Sequence, residues 1–341
     1  MKNEEKYTKF ALVREMMESP EIIRRFNLKD TENVVEQIKQ TGKVLFSGEG
    51  SSRMFPSKNA IAWAMKARIG VDLVTEGSYQ AGEYNLSDFV VFAASNSGRT
   101  KETVSLFDKL RKAGHKRLFG LTANRNTKLQ ELSNQAFIIS CGKEDAFAAT
   151  KSCIEQALFY QSLLAQVQGK SFSDKLNALA DDFEDALTVL VDPAITEAVA
   201  NAETVYFAGR NDGVAEELTV KVNEIVRKKS GFLEGTNYMH GAQEVMNHND
   251  VVILIDPYKS ELEKTKEVLI EEVGLKVFTV AAEETIFPTV KVKDVDGLTN
   301  YLFIAAGWNI LVEAGISLSI NLDKAERARK VGNVFIDQKA R

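Results

Sequence analysis

The chain has 341 residues, 44% hydrophobic and 27% charged, with 43 basic against 48 acidic side chains and a formal net charge of −5. That composition can bury about two globular cores, and the small, dispersed acidic excess excludes a basic footprint for nucleic acid. No apolar run reaches the roughly 18 residues of a membrane span. The opening MKNEEKYTKF lacks the apolar centre of a signal peptide. Two cysteines, Cys141 and Cys153, make no disulfide framework, so a reducing cytoplasm is the expected setting. Three histidines (His115, His240, His248) with two cysteines leave little room for a Cys/His metal cluster, although carboxylates could still hold magnesium or calcium.

In chain order, residues 5–41 read as two or three helices, with Ser19-Pro20 breaking the first and Glu21 to Phe26 resuming it. Strand-like apolar runs follow at Val44–Ser47, Val71–Thr75, Phe89–Ala94, Leu118–Thr122 and Phe137–Ser140, mostly separated by helical patterns. A stretch from about Ala146 to Val191 is helical with no strand signal. Strands return at Val205–Ala208, Val251–Ile255 and Val277–Val280. Alternating strands and helices imply a mostly parallel sheet covered on both faces.

The order repeats. VLFSGEGSS at 44–52 matches VYFAGRNDG at 205–213, and FVVFAAS at 89–95 matches DVVILID at 250–256, both at a separation of 161 positions. YQAGE at 79–83 resembles YMHGAQE at 238–244 between them. The expected fold is therefore α/β: two tandem parallel-sheet sandwich domains, flavodoxin-like and three-layered, related by duplication. The expected limits are a helical segment at 1–27, a first domain at 28–170, a helical linker at 171–195, a second domain at 196–320 and a tail at 321–341.

At Ser95-Asn96-Ser97-Gly98-Arg99-Thr100 a buried strand gives way to a helix. In parallel sheets, ligands bind beyond the carboxyl ends of strands. Val104, Phe107 and Leu110 give the following helix its apolar face, Arg111-Lys112 its last turn and Gly114 its stop. Its first turn offers unpaired N–H groups and a positive dipole end. One helix cap would need one hydroxyl. Three hydroxyls with a glycine and Arg99 exceed that need and suit a phosphate. Gly48-Glu49-Gly50-Ser51-Ser52 lies at an equivalent turn. It is neither a dinucleotide fingerprint, since Arg53 stands where a third glycine belongs, nor a Walker A loop. If the first and third strands flank one crevice, the two Ser-rich loops serve one phosphate. The second copy has Asp256-Pro257-Tyr258 in place of SNSGRT, unsuited to an anion.

On GEGSS at 48–52, SNSGRT at 95–100, KEDAFAATKS at 143–152, EIVRKKSGFLEGTNYMHG at 224–241 and NLDKAERARKV at 321–331, the chain resembles double sugar-isomerase (SIS) domain proteins. These include the isomerase half of glucosamine-6-phosphate synthase and the ketose/aldose phosphosugar isomerases. The resemblance runs from about residue 20 to 335 and omits the glutaminase half, so glutamine-dependent amination is not implied. It implies a substrate phosphate held by Ser51, Ser52, Ser95, Asn96, Ser97 and Thr100, with Gly50, Arg99, Ala149 and Glu234 as further substrate contacts. It also implies a homodimer with shared active sites.

Taken alone, Glu224 is a helix carboxylate within about Val214 to Lys229, and its apolar neighbours Val220, Val222 and Val226 suggest partial burial, which would suit a general base. His240, 16 residues on, is a polar loop residue. The resemblance implies that Glu224 moves a proton between C1 and C2 and that His240 opens the sugar ring. It also implies that Lys330 sits in a tail over the active site, though by itself Lys330 reads as part of a solvated basic run. Ring opening followed by an enediol needs such a pair and requires neither hydride carrier nor metal, so no cofactor is expected. Ala149 replaces the serine, and Arg99 the glutamate, of synthase-like proteins. The expected activity is aldose–ketose isomerisation of a sugar phosphate or related anionic sugar, sulfonates included. The alternatives are an amino-sugar-phosphate deaminase, a fructosamine-phosphate deglycase, or a phosphosugar sensor without turnover. Sensors often join one SIS unit to a DNA-binding domain, whereas here only about 40 residues of mixed charge precede the first strand and two units follow.

Overall fold

The computed structural model describes Met1, residues 4–327 and Val334. Helices α1 (Glu5–Thr8), α2 (Ala11–Arg25) and α3 (Glu32–Thr41) lead into β1 (Lys43–Gly48), α4 (Met54–Ala67), β2 (Asp72–Gly77), α5 (Ser78–Ala81), β3 (Val90–Ala94), α6 (Lys101–Lys112), β4 (Leu118–Thr122), α7 (Lys128–Leu132) and β5 (Gln135–Ile138). Helices α8 (Lys151–Val167), α9 (Leu176–Thr188) and α10 (Pro193–Asn201) precede β6 (Thr204–Gly209), α11 (Val214–Lys221), β7 (Lys229–Glu234), β8 (Val251–Ile255), α12 (Leu262–Thr265), β9 (Lys276–Ala281), β10 (Thr289–Lys291) and α13 (Thr299–Ser317). Among the described residues no helix is long and apolar enough to cross a membrane.

Five parallel strands form the first sheet in the order β2-β1-β3-β4-β5. Five more form the second in the order β10-β9-β8-β6-β7, also parallel throughout. Taken from its opposite edge, the second order is β7-β6-β8-β9-β10, the first order again. Two α/β sheets of one topology are what the repeat predicts, and they fit a duplication. The chain divides into two compact units. One comprises Ile22–Glu144 and Ala149–Leu176, with the described residues from Ala325 on, and carries the first sheet; the other comprises Met1–Glu21, Asp145–Ala148 and Asn177–Lys324 and carries the second.

Strand alternation builds the core of the first unit. Val44, Phe46 and Phe92 face one layer, where Phe46, Phe92, Phe119, Phe137, Phe159 and Tyr160 pack ring against ring with centroids 4.4–6.5 Å apart. Leu45, Val91 and Ala93 face the opposite layer and meet Val104, Phe107 and Leu110 of α6, the stripe expected for that helix. In the second unit Ala208, Val252, Leu254 and Val277 form an equivalent layer with Tyr238 and Leu269.

Two expectations need correction, and two strands carried no sequence signal. Pro20 does not break the first helix, because α2 runs through it. The missing N–H and ring clash cost about 3 kcal/mol, but the buried stripe of Leu12, Val13, Met16, Ile22 and Ile23 continues on both sides of it, at about 1.5–3 kcal/mol for each large side chain. The helix expected to reach Lys229 ends three residues earlier: α11 passes into a π-helical turn, Val222–Val226, and Arg227 closes it with φ +58°. The next residues form β7, an edge strand whose half-buried Ser230 and Gly231 give no apolar signal. Gly231 is needed there, since a Cβ would lie 2.8 Å from the Tyr206 ring. The three-residue β10 was likewise not legible.

Candidate functional site

The first sheet reverses its strand order between β1 and β3, the place where open α/β sheets bind ligands. The two strands are neighbours, with Gly48 opposite Ala94, so GEGSS and SNSGRT leave the sheet side by side, as the crevice expectation required. Gly50–Ser52 forms a 3-10 turn that runs into α4. Ser51 is buried and Ser52 half-buried. The neighbouring Glu49 carboxylate accepts from the Ser78 amide at 2.8 Å and so clamps the start of α5.

In the second loop the Ser95 amide donates to Leu121 O at 2.9 Å and the Gly98 amide to Ser95 O at 2.9 Å, closing a turn. Gly98 has φ +63°, and a Cβ there would fall 2.4 Å from Thr127 Oγ1, so only glycine fits. Ser95 is 2% exposed, and its hydroxyl lies 2.8 Å from that of Thr100. Ser97 and Arg99 are exposed. The Ser97 hydroxyl accepts from the Arg99 amide at 3.2 Å and keeps its proton for another partner. Thr100 also forms an isolated antiparallel bridge with Val334.

Asn96 is fixed more tightly than its neighbours. Its carbonyl accepts from the Ala123 amide, the Thr122 hydroxyl and the Asn124 side chain at 3.2, 3.0 and 2.8 Å. Its side-chain amide donates to Glu144 Oε2 at 2.9 Å. Glu144 also accepts from the Thr150 amide (2.6 Å) and the Ser152 hydroxyl (2.5 Å), which places one carboxylate against both the SNSGRT loop and the start of α8. Ala149 lies half-buried in the same turn. Sequence reasoning missed Glu144: no periodicity marks it, and its partners stand 48 residues before and 6 to 8 after it.

The second unit carries Glu224, Glu234 and His240. Glu224 sits in the π-helical turn with its side chain 16% exposed, which matches the partial burial expected from its neighbours. Lys221 was not anticipated. Its ammonium is fully buried, donates to Glu224 Oε2 at 2.7 Å and stands 3.0 Å from Glu217 Oε1 as an ion pair without hydrogen-bond alignment. Glu217 is fully buried too, so two carboxylates share one cation, and pairing of this kind is what lets a buried charge persist. The only trace in the sequence is a Glu-x-x-x-Lys-x-x-Glu spacing. Glu234 ends β7 and is exposed. His240 is exposed and closes a short 3-10 turn, Asn237–Met239, that follows β7 as α5 follows β2. Lys330 lies outside the described residues.

The second sheet has its own reversal, between β6 and β8. There Arg210 pairs with the Asp256 carboxylate at 2.5 Å, also donates to the Asp256 carbonyl, and lies over the Tyr258 ring at 4.7 Å. The remaining cavity is about 10 Å³, barely one water. Among the described residues no group of three or more His, Cys, Asp or Glu side chains is placed to hold a metal ion.

Two titratable groups outside these loops, one buried and one half-buried, are shifted towards their neutral forms. Burial, with Glu155 adding to it, drives the Cys141 thiol far up from its usual value, so it stays protonated. Burial holds the His115 imidazole below its usual range; its Nε2 lies 2.8 Å from Leu86 O and its Nδ1 accepts from the Arg117 amide at 3.1 Å.

Comparison with known proteins accords with this architecture. No curated protein sequence matches the chain. The C-terminal domain of glucosamine-fructose-6-phosphate aminotransferase from Francisella tularensis superposes with a TM-score of 0.78 at 18% identity, covering 93% of this chain and 98% of that one. Tagatose-6-phosphate ketose/aldose isomerase from Escherichia coli gives 0.75 at 15% identity, covering 95% and 98%. Glucosamine-6-phosphate deaminase from Thermotoga maritima gives 0.72 at 21% identity, covering 94% and 98%. At these identities the likeness is one of fold, and it spans both sheets. The SIS domain family matches residues 37–166, the segment that carries GEGSS, SNSGRT and Glu144.

Proposed function

We propose that the chain is a phosphosugar aldose–ketose isomerase, working by ring opening and an enediol(amine) proton transfer. The observation that carries this reading is the pair of hydroxyl-rich loops at the β1/β3 reversal within the segment that the SIS family matches. Ser51, Ser52, Ser95, Asn96, Ser97 and Thr100 hold the substrate phosphate, with Gly50, Arg99 and Ala149 beside them. A phosphate anchored away from the reacting carbons orients the sugar. Glu224 is the base that moves the carbon-bound proton, His240 opens the ring, Lys330 is the third catalytic residue, and Glu234 is a further substrate contact. The Lys221 ammonium supports the first role by holding one Glu224 oxygen and leaving the other for substrate. No cofactor enters the scheme.

Deamination of an amino-sugar phosphate and cleavage of a fructosamine phosphate share the enolamine step and are the second reading. The Thermotoga maritima deaminase among the structural neighbours favours it. The deciding experiment incubates the protein in deuterium oxide with a panel of hexose and amino-hexose 6-phosphates and follows C1 and C2 by NMR. Ketose and aldose interconverting with deuterium uptake support isomerisation, and released ammonia supports deamination. Binding without exchange at any carbon would leave a sensor and end the enzymatic reading.

The same reading includes a cytoplasmic homodimer with composite active sites. Mixing inactive Glu224→Gln and His240→Ala chains should then restore activity through heterodimers. A monomer by light scattering, or no rescue despite subunit exchange, would count against it.

A further inference from the structure

A carboxylate beside an anion site should weaken it by repulsion, yet Glu144 is joined directly to the SNSGRT loop. We propose that Glu144 is the positioning residue of that loop: it fixes Asn96, and through it the backbone from Ser95 to Thr100, so that its negative charge strengthens anion binding. The claim rests on the phosphate reading given under Proposed function.

The geometry separates the charge from its expected effect. Glu144 Oε1 accepts from the Thr150 amide at 2.6 Å and the Ser152 amide at 3.3 Å, and Oε2 accepts from the Ser152 hydroxyl at 2.5 Å. These donors open a 17-residue helix, and Thr150 and Ser152 are buried. The helix dipole and the Thr150 and Ser152 amides therefore screen the carboxylate locally. Oε2 takes in addition the Asn96 side chain at 2.9 Å. With its carbonyl held by three donors from residues 122–124, Asn96 is fixed at both ends. Ser95 on one side and the Gly98 turn on the other inherit that placement, and the hydroxyls of Ser95, Ser97 and Thr100 with it. Loss of the carboxylate frees the Asn96 side chain and lets the loop spread its donors over several arrangements, each a poorer match to one anion.

The test is calorimetric titration with inorganic phosphate and with fructose 6-phosphate. It compares the parent protein with Glu144→Ala, Asn96→Ala, the double variant and Ser152→Ala. Positioning predicts that Glu144→Ala and Asn96→Ala each weaken both probes by about tenfold to a hundredfold, the scale of a hydrogen bond to a charged group. The double variant should be no worse than the weaker-binding single one, because both act through one contact. Ser152→Ala removes a donor to the same carboxylate without touching Asn96, so it should stay within about threefold. Amide hydrogen exchange over residues 95–100 should quicken in Glu144→Ala and Asn96→Ala and not in Ser152→Ala, a readout independent of any ligand. If Glu144→Ala fails to fold, Glu144→Gln retains an acceptor for Thr150 while turning an amide towards Asn96, and should lose affinity in the same way. Equal or tighter binding by the Glu144 variants, or unchanged exchange over 95–100, overturns the inference. A parent protein that binds neither probe overturns the phosphate reading instead, and the exchange measurement still judges whether Glu144 sets the loop.

Discussion

The carboxyl ends of β1 and β3 and those of β6 and β8 occupy the same place in two sheets of one strand order, but their loops have been put to opposite uses. In the first sheet the Ser97 hydroxyl and the Arg99 guanidinium stand exposed, and the loop is held by the Ser95–Thr100 hydroxyl pair, by backbone, and by the bonds of Asn96 to Glu144 and residues 122–124. In the second, Arg210 is consumed by the carboxylate and carbonyl of Asp256 and covered by Tyr258. Topology therefore supplies a place for a ligand and not the ligand. The difference lies in whether the cation and the hydrogen-bond donors face outward or satisfy one another.

The largest effect should separate the two units by role. Glu224→Gln keeps the side-chain shape and loses the base, so turnover should fall by about 10²–10⁴, the usual worth of a positioned acid or base. Titration with fructose 6-phosphate should show affinity retained, because the first-sheet loops are untouched. Deuterium uptake at C1 or C2 at the parent rate would move the base elsewhere, with Glu234 the first place to look. An open-chain substrate analogue adds the second half of this test: His240→Ala should fail on ring-closed sugar and still turn over the analogue.

Next in size is the buried ion cluster. Lys221→Met leaves Glu217 charged and fully enclosed without its cation. Removing one partner of a buried pair typically costs about 3–5 kcal/mol, readable as a lower urea midpoint. A variant as stable as the parent would show that the Lys221–Glu217 pair does not hold the fold together.

The comparison of the two reversals is tested most directly by paired variants. Ser97→Ala should weaken sugar-phosphate binding by about 1–3 kcal/mol. Asp256→Asn loosens a partly exposed ion pair worth about 0–1 kcal/mol in stability and should leave that binding unchanged. Equal losses from the two variants would mean that both reversals serve the ligand.

The smallest effect is a pH dependence. Burial lowers the His115 pKa in the folded protein, against the Leu86 carbonyl, while the nearby Arg117 charge adds to the lowering. The unfolded chain then takes up this proton first. The stability His115 contributes is complete above its ordinary pKa near 6.5 and is lost as pH falls through that value towards the lower folded one. Melting temperatures between pH 7 and 5 should fall less for His115→Gln than for the parent.

Much of the frame was legible because the central strands are enclosed on both faces. β3 and β8 are unbroken apolar runs and β4 nearly so, and Leu118–Thr122 and Val251–Ile255 could be bounded to the residue. The loop at 95–100 stood out because donors cluster where an apolar run stops. Edge positions were opaque: β7 alternates with a lysine, a serine and a glycine, and its neighbour Tyr206 decides the glycine. Pro20 misled because its local cost was visible and the buried stripe around it was not. Glu144 and Lys221 escaped for a related reason. Their importance lies in what surrounds them, and a charged residue in a sequence does not announce that it is enclosed. Lys330 remains a proposal drawn from resemblance alone.

Asp323 has a consequence for the order in which the chain acquires structure during synthesis. Its carboxylate accepts the amides of Ala11 and Leu12 at 3.0 and 2.9 Å, and its carbonyl accepts that of Phe147 at 3.0 Å. Glu15, on the helix so capped, takes the amides of Asp145 and Ala146. Helix α2 thus receives its cap from a residue made 312 positions after Ala11. At about 5–20 residues per second it waits many seconds for that cap, while the strands of the first sheet, all translated by Ile138, are free to pair in the meantime. Nascent chains stalled before residue 323 should hold a first sheet and an N-terminal segment still open to proteases.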